Sequence, residues 1–397
     1  MRSVRSIDFV RVFIFALAFL AGAATLPAAA TDAFYLPPPE ITKFAPGDII
    51  RSEAVSPAPE GARAWKILYA SSGISGERIA VSGVVIVPVG KVPAGGRPIV
   101  AWAHPTTGIA QGCAPSLRGD KVYATIPELS KLILRGYIVA ATDYAGLGTP
   151  GPHPYLIGRS EGQAVLDSVR AARKWTNEAG SQFAVWGDSQ GGQAALFAGQ
   201  LVPSYAPELT LSGVAAISPP TDLGDLLRHF IGDGVGRVVA PYAVAAWSQV
   251  YQLSLDGVVR SAAIPTVKRV ARVCAQTTVD AYKVRVDALG LRAPFIEPSV
   301  LSSSPWDGLL AANRPGQAPI AAPLFIAQGK VDEVVPAAGT IAFVRAECKL
   351  GAQVLYVPLA DVPHELAAVR SASDTIAWIG ERFAGKPPAD SCPLDSP

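Results

Sequence analysis

Residues 183–192 read Phe-Ala-Val-Trp-Gly-Asp-Ser-Gln-Gly-Gly and carry the strongest structural signal in this 397-residue chain. The four apolar residues predict a buried strand, and Gly192–Leu201 predicts a helix directly afterwards. Between them, Gly187–Gly191 matches G-x-S-x-G, in which a serine sits on a sharp strand-to-helix turn and exposes its hydroxyl. Flanking glycines permit that turn, although a purely structural glycine-rich turn is the alternative. Because strand, turn and helix occur in the required order, Ser189 is predicted to be a nucleophile.

Strand-like apolar runs recur on both sides of this stretch. They are Trp65–Ala70, Ile79–Val89, Pro98–Ala103, Tyr137–Thr142, Phe183–Trp186, Gly213–Ile217, Pro323–Ala327 and Val354–Val357. Continuous apolar runs are typical of strands covered on both faces of a mostly parallel sheet. The clearest helical patterns alternate with them, at Pro127–Arg135, Ser160–Ala179, Gly192–Leu201 and His364–Phe383. This alternation predicts the α/β class, with a mostly parallel sheet flanked by helices.

The alternation stops between residues 223 and 322. This block is rich in Ala, Val and Gly, has helix-like stretches, and lies between two predicted strands. An interval of this length is too long for one loop in a compact domain. We interpret residues 223–322 as an inserted, mainly helical cap or lid. Residues 31–222 and 323–397 would form the two parts of the core, with residues 31–64 as an irregular, proline-rich arm.

A serine hydroxyl becomes a good nucleophile only when a base takes its proton, and that base must itself be oriented. Behind a G-x-S-x-G turn, the acid and then the histidine follow the serine along the chain. The four histidines are His104, His153, His229 and His364. Two of them precede the serine and His229 lies in the predicted cap. His364, just after the strand Val354–Val357, is therefore the predicted base.

The predicted acid is Asp332, in the loop that follows the strand Pro323–Ala327. From there a carboxylate can hold the imidazole of His364 in one tautomer and stabilise its charged form. Glu333 is adjacent to Asp332, and Asp361 is close to His364 in sequence. Either remains an alternative acid.

Backbone N–H groups must stabilise the negative oxygen that forms when the serine attacks. One is predicted from Gln190, the residue after the nucleophile. The other is predicted from the loop His104-Pro105-Thr106-Thr107-Gly108, which follows the strand Pro98–Ala103. Proline has no N–H, so Thr106 is the first candidate and Thr107 the second. The threonine hydroxyl can add a further donor.

The N-terminus accounts for the whole net charge of +2. Residues 1–30 hold three arginines against Asp8, so the rest of the chain has equal numbers of basic and acidic residues. The arginines precede an apolar run, and Ala28-Ala29-Ala30 follows it, which is the pattern of a secretory signal peptide. A retained membrane anchor is the alternative, but the apolar run is short for a bilayer. We expect cleavage after about Ala30 and a secreted or periplasmic chain without a transmembrane segment.

Composition excludes two classes of protein. With 50% hydrophobic and 17% charged residues, the chain is too apolar to be intrinsically disordered. A net charge of +2 gives no electrostatic reason to expect a nucleic-acid partner.

The chain has four widely separated cysteines, and no two of them form a C-x-x-C motif. This argues against a zinc site and against a thioredoxin-type redox site. In an exported chain they predict two disulfides, with four free thiols as the alternative. Three pairings are open, and we favour Cys113 with Cys274 and Cys348 with Cys392.

Two further patterns are not interpreted as sites. Residues 146–151 match G-x-G-x-x-G, but Pro150, Pro152 and Pro154 argue against the helix that a dinucleotide site requires. Asp143 and His153 form a tempting extra acid–histidine pair. We interpret Asp143 as ordering the loop beside the serine turn rather than as a second catalytic group.

Five segments resemble secretory lipases of the fungal and bacterial lipase A type, within the α/β-hydrolase superfamily. They are residues 102–108 (WAHPTTG), 113–116 (CAPS), 143–148 (DYAGLG), 153–156 (HPYL) and 187–192 (GDSQGG). The resemblance runs over nearly the whole mature chain. It implies an α/β-hydrolase fold with a helical lid and a triad at Ser189, Asp332 and His364. Asp188 stands where fungal members often have tyrosine.

The expected activity is hydrolysis of lipid esters such as acylglycerols through a covalent acyl-enzyme, with a lipid–water interface as partner. No metal and no organic cofactor is implied. The alternative is an esterase for short-chain, polymer or carbohydrate esters on the same scaffold. A peptidase and a non-catalytic binding protein are less favoured, since a binding protein should lack a triad residue.

Overall fold

The strands lie in one sheet in the computed structural model, which describes residues 32–231, 236–292 and 294–394. The predicted signal peptide, residues 1–30, lies outside the described residues. The strands are β1 (Ile49–Ala54), β2 (Ala62–Ser72), β3 (Arg78–Pro88), β4 (Arg97–Ala103), β5 (Ile138–Thr142), β6 (Ala179–Asp188), β7 (Thr210–Ile217), β8 (Leu324–Gly329) and β9 (Val354–Leu359). The eight predicted strands correspond to β2 through β9.

The order of strands across the sheet is β1-β2-β3-β5-β4-β6-β7-β8-β9. Strands β1, β2, β3 and β5 pair antiparallel in succession. From β5 to β9 every neighbouring pair is parallel. The predicted mostly parallel α/β sheet is therefore confirmed. Because parallel strands end at the same edge, the loops that follow β4, β6, β8 and β9 meet there.

Helices cover both faces of the sheet. They are α1 (Leu129–Leu134), α2 (Gly158–Trp175), α3 (Gln190–Tyr205), α4 (Leu223–Ile231), α5 (Gly236–Val250), α6 (Ile264–Val270), α7 (Thr278–Ala288), α8 (Trp306–Ala312), α9 (Ala337–Lys349) and α10 (Ala367–Phe383). Alternate residues of β4 point to opposite faces: Ile99 and Ala101 pack with α2 and α3, whereas Val100 and Trp102 pack with α1 and α10. None of these described helices is both long and apolar enough to cross a lipid bilayer.

The interval between β7 and β8 contains α4 to α8 and, in its described part, no strand beyond isolated bridges. These helices bury a second apolar cluster, which includes Phe230, Tyr242, Trp247 and Phe295 and which they share with core residues 155–157. Trp247 stacks on Trp306 with ring centroids 5.8 Å apart. A cluster of this kind is what an inserted layer needs to hold its shape. Helices α4 to α8 lie within residues 223–322, and both the inserted cap with these bounds and its action as a lid stay predictions.

The N-terminal arm is more regular than predicted. Residues 31–64 were expected to be irregular, but β1 and the first residues of β2 lie within them. Among the strands that the structure describes, β1 pairs only with β2 and lies at an edge of the sheet, and its residues are half-buried or exposed. An edge strand needs no continuous apolar run, so Ile49–Ala54 carries a weak sequence signal.

Two disulfides fix distant parts of the chain, and the favoured pairing is confirmed. Cys113 bonds to Cys274, and Cys348 bonds to Cys392. The first disulfide joins the chain after β4 to the chain after α6. Next to it, the N–H of Ala275 donates to the carbonyl of Thr107 at 2.8 Å. The loop after β4 is thus held to the helical insertion by this covalent bond, by the hydrogen bond from Ala275, and by one from the Gln276 side chain to the Cys113 carbonyl.

Removing each disulfide by paired alanine substitutions should lower the free energy of unfolding by about 3–5 kcal/mol. The Cys113–Cys274 pair spans 161 residues and the Cys348–Cys392 pair spans 44. Because the cross-link restricts a longer loop in the unfolded chain, the first double variant should lose about 1 kcal/mol more. Urea unfolding of the two variants measures the difference. The opposite order would contradict the loop-length explanation.

Candidate active site

Ser189 occupies a tight turn between β6 and α3. Its backbone has φ 53° and ψ −117°, and its N–H donates to the carbonyl of Ile217 at 2.8 Å. A non-glycine residue with positive φ is strained by roughly 1–3 kcal/mol and persists only where neighbours hold it. The turn that the sequence predicts is therefore present, and the strain falls on the serine itself.

The glycines on either side of Ser189 are required by close backbone contacts. A Cβ at Gly187 would lie 1.9 Å from the carbonyl oxygen of Gly191. A Cβ at Gly191 would lie 1.9 Å from the carbonyl oxygen of Ala103, the last residue of β4. No side chain fits at either position. The second contact presses the start of α3 against the loop that follows β4.

Ser189, His364 and Asp332 form a continuous hydrogen-bonded series. Nε2 of His364 is 2.9 Å from Oγ of Ser189, and Nδ1 is 2.8 Å from Oδ2 of Asp332. Asp332 follows β8, and His364 lies between β9 and α10. Three residues from distant parts of the chain thus meet at the carboxyl edge of the sheet, with separations suited to proton transfer.

Asp332, rather than either alternative acid, contacts the histidine. Its Oδ1 accepts hydrogen bonds from the N–H groups of Val334 and Val335, and its Oδ2 also accepts one from the Gln328 side chain. These donors fix the carboxylate and favour its charged form. Glu333 lines the same cavity but is exposed, and Asp361 is exposed outside it.

The pKa values of Asp332 and His364 are shifted in opposite directions from their ordinary values. Burial opposes a charge on Asp332, but hydrogen bonds from His364 and from the Val335 N–H leave its pKa below the ordinary value. Burial would lower the pKa of His364, yet the hydrogen bond and charge of Asp332, helped by Asp188, raise it above the ordinary value. A charged carboxylate on Nδ1 holds that nitrogen protonated and leaves Nε2 as the acceptor for the serine proton.

The loop after β4 lies beside the serine turn, because Ala103 pairs with Gly187 in neighbouring parallel strands. Nδ1 of His104 is 2.7 Å from the carbonyl oxygen of Pro105. That carbonyl and the Thr106 N–H belong to one planar peptide, so the contact also fixes the direction of the N–H. Within the described chain, neither Thr106 nor Gln190 gives its backbone N–H to a protein acceptor. Both donors are available for a negative oxygen, whereas Thr107 is buried and does not line the cavity.

A cavity of about 860 Å³ opens over Ser189 and His364. Thr106, Gln190 and Glu333 belong to its polar part. The helical insertion contributes a largely apolar part of the lining, with Arg285 as its charged member; the apolar residues include Leu226, Phe230, Tyr242, Val284, Ala288 and Leu289. A volume of this size is within the roughly 300–1,000 Å³ typical of ligand pockets. An apolar wall beside a nucleophile suits a substrate with a hydrocarbon portion.

The sequence profile of one family, described as Secretory lipase, matches residues 116–391, well over half of the chain. The chain belongs to the secretory lipase family. Like the family, this secretory lipase is a carboxylic ester hydrolase. The expected family resemblance is thereby confirmed.

Relatives of this secretory lipase include a Mycobacterium tuberculosis protein named "Probable inactive lipase MT1628". It is 27% identical over 378 residues, which are 90% of this chain and 83% of that protein. The secreted triacylglycerol lipase LIP7 of Malassezia globosa is 27% identical over 395 residues, covering 91% of this chain and 81% of that protein. The crystal structure of Candida antarctica lipase A in its closed state superposes with a TM-score of 0.78 and 23% identity. The match covers 94% of this chain and 91% of that chain. The α/β-hydrolase fold is therefore confirmed.

Behind the serine turn, a buried polar group in this lipase was not predicted. Nε2 of Gln190 donates to Oε1 of Glu161 at 2.7 Å and lies 3.0 Å from Nε2 of His153. Burial lowers the pKa of His153 to about 3, so the ring is neutral, and Nδ1 donates to the carbonyl of Ala145 at 2.8 Å. Burial raises the pKa of Glu161 to about 8. One signal in the sequence could have indicated that Glu161 is buried. It precedes Ala164 by about one helical turn and so lies on the apolar face of α2.

The two patterns set aside in the sequence are structural. Residues 146–151 form turns, and the next helix, α2, begins only at Gly158. Asp143 accepts hydrogen bonds from the side chains of Ser82 and Ser116, and His153 bonds to Ala145. Asp143 and His153 therefore do not form an acid–base pair. Asp143 orders the loop beside the serine turn, in agreement with the interpretation from sequence.

Asp188 adds a second carboxylate to the surroundings of His364. Burial raises its pKa to about 7, a rise that the charge of His364 opposes and that of Asp332 supports. Its Oδ1 is buried and has no hydrogen-bond partner in the described part of the chain. Asp188 is part of the G-x-S-x-G motif, but the burial of its carboxylate results from tertiary packing that the sequence does not reveal. The pKa of His364 is thus raised by three neighbouring carboxylates, those of Asp332, Asp188 and Glu365.

The pH dependence of kcat/KM should reflect the raised pKa of His364. A general base must be neutral to accept a proton, so activity falls as the pH drops through that pKa. We expect the midpoint of the acidic limb to lie above 6.5 for a neutral ester, because Asp332 and Asp188 favour the protonated ring. The Asp188→Asn variant should move the midpoint to lower pH. A midpoint below 6.5, or one that Asp188→Asn leaves unchanged, would contradict this arrangement.

Proposed function

We propose that this chain is an exported lipase that cleaves acylglycerol-type esters through Ser189, His364 and Asp332. The observation that carries the proposal is the pair of contacts, 2.9 Å from Ser189 Oγ to His364 Nε2 and 2.8 Å from His364 Nδ1 to Asp332 Oδ2. They lie at a cavity whose lining from the helical insertion is largely apolar. Membership of the secretory lipase family supports a lipid ester as the substrate class.

In the proposed reaction Ser189 Oγ attacks the ester carbonyl while Nε2 of His364 takes its proton. The negative carbonyl oxygen accepts hydrogen bonds from the N–H groups of Thr106 and Gln190. His364 then gives the proton to the alkoxide of the alcohol, which departs and leaves an acyl-enzyme. Water, deprotonated by the same histidine, attacks the acyl group and releases the carboxylic acid and the free serine. Asp332 remains charged throughout and stabilises the imidazolium.

The apolar wall gives the acyl chain its binding energy. Leu226 and Phe230 come from α4, Tyr242 from α5, and Val284 and Ala288 from α7. Each methylene removed from water contributes about 0.8 kcal/mol, so several buried methylenes outweigh the cost of ordering the chain. We propose that the acyl chain lies along this wall and that the alcohol lies near His364, which must protonate it.

Helix α7 also supports a lipid–water interface as the working environment. Val279, Tyr282, Val286 and Leu289 are exposed and recur at intervals of three and four residues, which places them on one side of the helix. An exposed apolar stripe of this kind is typical of surfaces that meet another apolar phase. Because α7 also lines the cavity, we propose that this stripe faces the lipid surface.

Export is proposed from three observations. Residues 1–30 have the composition of a signal peptide. The two disulfides are typical of chains that fold in an oxidising compartment. A relative at 27% identity is a secreted lipase.

The substrate class is tested with p-nitrophenyl esters from butyrate to palmitate, each assayed in solution and as an emulsion. Because the apolar wall can bury several methylenes, we expect kcat/KM to rise at least tenfold with chain length. Activity on emulsified palmitate should exceed that on the dispersed ester. A preference for butyrate without an interfacial effect would favour the alternative, an esterase for short-chain or polymer esters.

Labelling with a fluorophosphonate probe separates an enzyme from a binding protein. A probe that phosphonylates Ser189 should be incorporated once per chain and located there by mass spectrometry. Denatured protein is the matched control, because it keeps the serine but loses its base. Absence of labelling in the folded protein would contradict the proposed function.

A further inference from the structure

Tyr155 makes one specific contact with the loop that supplies a proposed oxyanion donor. Its hydroxyl lies 2.8 Å from Oγ1 of Thr106. In the described part of the chain this is the only hydrogen-bond partner of the Tyr155 hydroxyl, and the residue is 1% exposed. Tyr155 and Thr106 both line the cavity, but Thr106 is half-buried and is therefore the more exposed of the two. The two hydroxyls therefore differ in their access to solvent and substrate.

This difference in access decides which hydroxyl donates. If Thr106 donated to Tyr155, the phenolic hydrogen would be buried without an acceptor, which costs about 1–3 kcal/mol. If Tyr155 donates to Thr106, the phenolic hydrogen has its acceptor. The threonine O–H can then point into the cavity, where water or the substrate can accept its hydrogen bond. Burial raises the pKa of the Tyr155 phenol above its ordinary value, so the donor proton is retained. The favoured arrangement is thus Tyr155 O–H donating to Thr106 Oγ1.

We propose that Tyr155 is a positioning residue that aims the Thr106 hydroxyl into the cavity as a third oxyanion donor, beside the N–H groups of Thr106 and Gln190. A threonine that already accepts from Tyr155 keeps its own O–H free to donate. Hydrogen bonds aimed in advance at the developing charge lower the barrier without reorganisation. The inference rests on the proposed function, because it assigns a task within the same acyl transfer.

The segment around Tyr155 is fixed from several directions. The indole N–H of Trp247, in the helical insertion, donates to the Tyr155 carbonyl at 2.9 Å. The N–H of the next residue, Leu156, donates to Glu161 Oε1 at 2.9 Å, the oxygen that also accepts from Gln190. The same buried carboxyl group therefore holds the Tyr155 backbone and the residue that carries the other oxyanion N–H. Such support is what a positioned hydroxyl requires.

The test compares Tyr155→Phe, Thr106→Val, Thr106→Ser and the double variant Tyr155→Phe/Thr106→Val. Each variant keeps the backbone N–H groups. Tyr155→Phe and Thr106→Val each remove a hydroxyl group, whereas Thr106→Ser keeps the hydroxyl and removes only the methyl group. We expect kcat to fall about tenfold in Tyr155→Phe and about tenfold to a hundredfold in Thr106→Val, with KM little changed, because the contact strengthens in the transition state. Thr106→Ser should retain most activity. In the double variant, loss of the phenol should add nothing to the effect of Thr106→Val.

Inhibition by a trifluoromethyl ketone provides a measurement that would not change if Tyr155 had only a structural role. It forms a tetrahedral, negatively charged adduct with the serine, so its inhibition constant should rise by the same factor as kcat falls. Tyr69→Phe is the matched control. Tyr69 is a buried tyrosine whose hydroxyl is 2.6 Å from Thr142 Oγ1, in the core away from the cavity lining. It should lower thermal stability and leave kcat and the inhibition constant unchanged.

The outcomes separate this inference from the proposed function. If Tyr155→Phe keeps the wild-type kcat and inhibition constant while the fluorophosphonate still labels Ser189, the positioning role is wrong and the function stands. If the effects of Tyr155→Phe and Thr106→Val multiply, the two hydroxyls act independently and the role is also wrong. If the wild-type protein is neither labelled nor active, the proposed function itself fails.

Discussion

Replacing Ser189 with alanine is expected to reduce ester hydrolysis by about five to six orders of magnitude, as loss of a triad nucleophile does elsewhere. The nucleophilic oxygen is removed, and with it the acyl-enzyme route. The oxyanion donors and the cavity remain, so weak catalysis by the site would survive. Steady-state hydrolysis of p-nitrophenyl esters measures the reduction, and fluorophosphonate labelling should disappear with it.

The fold of this variant should be intact, since alanine and serine meet the same strain at φ 53°. Among the described residues, the Ser189 hydroxyl forms its hydrogen bond with His364, at 2.9 Å, and alanine removes that bond alone. Ser204→Ala, on the exposed end of the same helix, is the control and should keep full activity. Residual activity above about one per cent in Ser189→Ala would show that another residue attacks the ester. The experiment has added weight because one similar protein is named as an inactive lipase.

Replacing Asp332 with asparagine should lower kcat by about ten-thousandfold while the substrate still binds. An asparagine side chain can present its NH₂ group to Nδ1 of His364, which then becomes an acceptor. The proton moves to Nε2, and that nitrogen can no longer take the proton of Ser189. Full pH profiles of kcat and KM measure the effect, since the raised pKa of His364 should also fall towards its ordinary value.

The two alternative acids supply matched comparisons. Asp361→Asn removes an exposed carboxylate near the histidine in sequence and should leave kcat within about a factor of two. Glu333→Gln removes an exposed carboxylate in the cavity wall and should act mainly on KM. If Asp361→Asn or Glu333→Gln reduced kcat more than Asp332→Asn, the assignment of the acid would be overturned.

The residues proposed for catalysis could be found from the sequence because their signals are local. The serine turn has a fixed spacing of glycines, and those glycines are required by backbone contacts of 1.9 Å. His364 and Asp332 follow from chain order after parallel strands, since each stands in a loop behind one. The strands themselves were visible because burial on both faces demands continuous apolar runs.

The supporting residues could not be found in this way. Glu161, in α2, contacts Gln190 of the serine turn, and Tyr155, in the loop before α2, contacts Thr106 in the loop after β4. No local sequence pattern encodes either contact. A buried glutamate on an apolar helical face is a signal of function only when its partners are known. Strand β1 was missed for a different reason, because an edge strand with half-buried residues places few demands on its sequence.

The bond between Cys113 and Cys274, with the adjacent hydrogen bond from Ala275 to Thr107, has a mechanical consequence for substrate entry. It attaches the helical insertion to the core next to residues 104–108, the loop that contains Thr106. If the insertion moves as the predicted lid, the residues around Cys274 are held beside the loop that follows β4, so larger displacements are expected farther from this bond. On that prediction, lipid enters from the side of the cavity away from Cys274, while Thr106 and Thr107 keep their place beside Ser189.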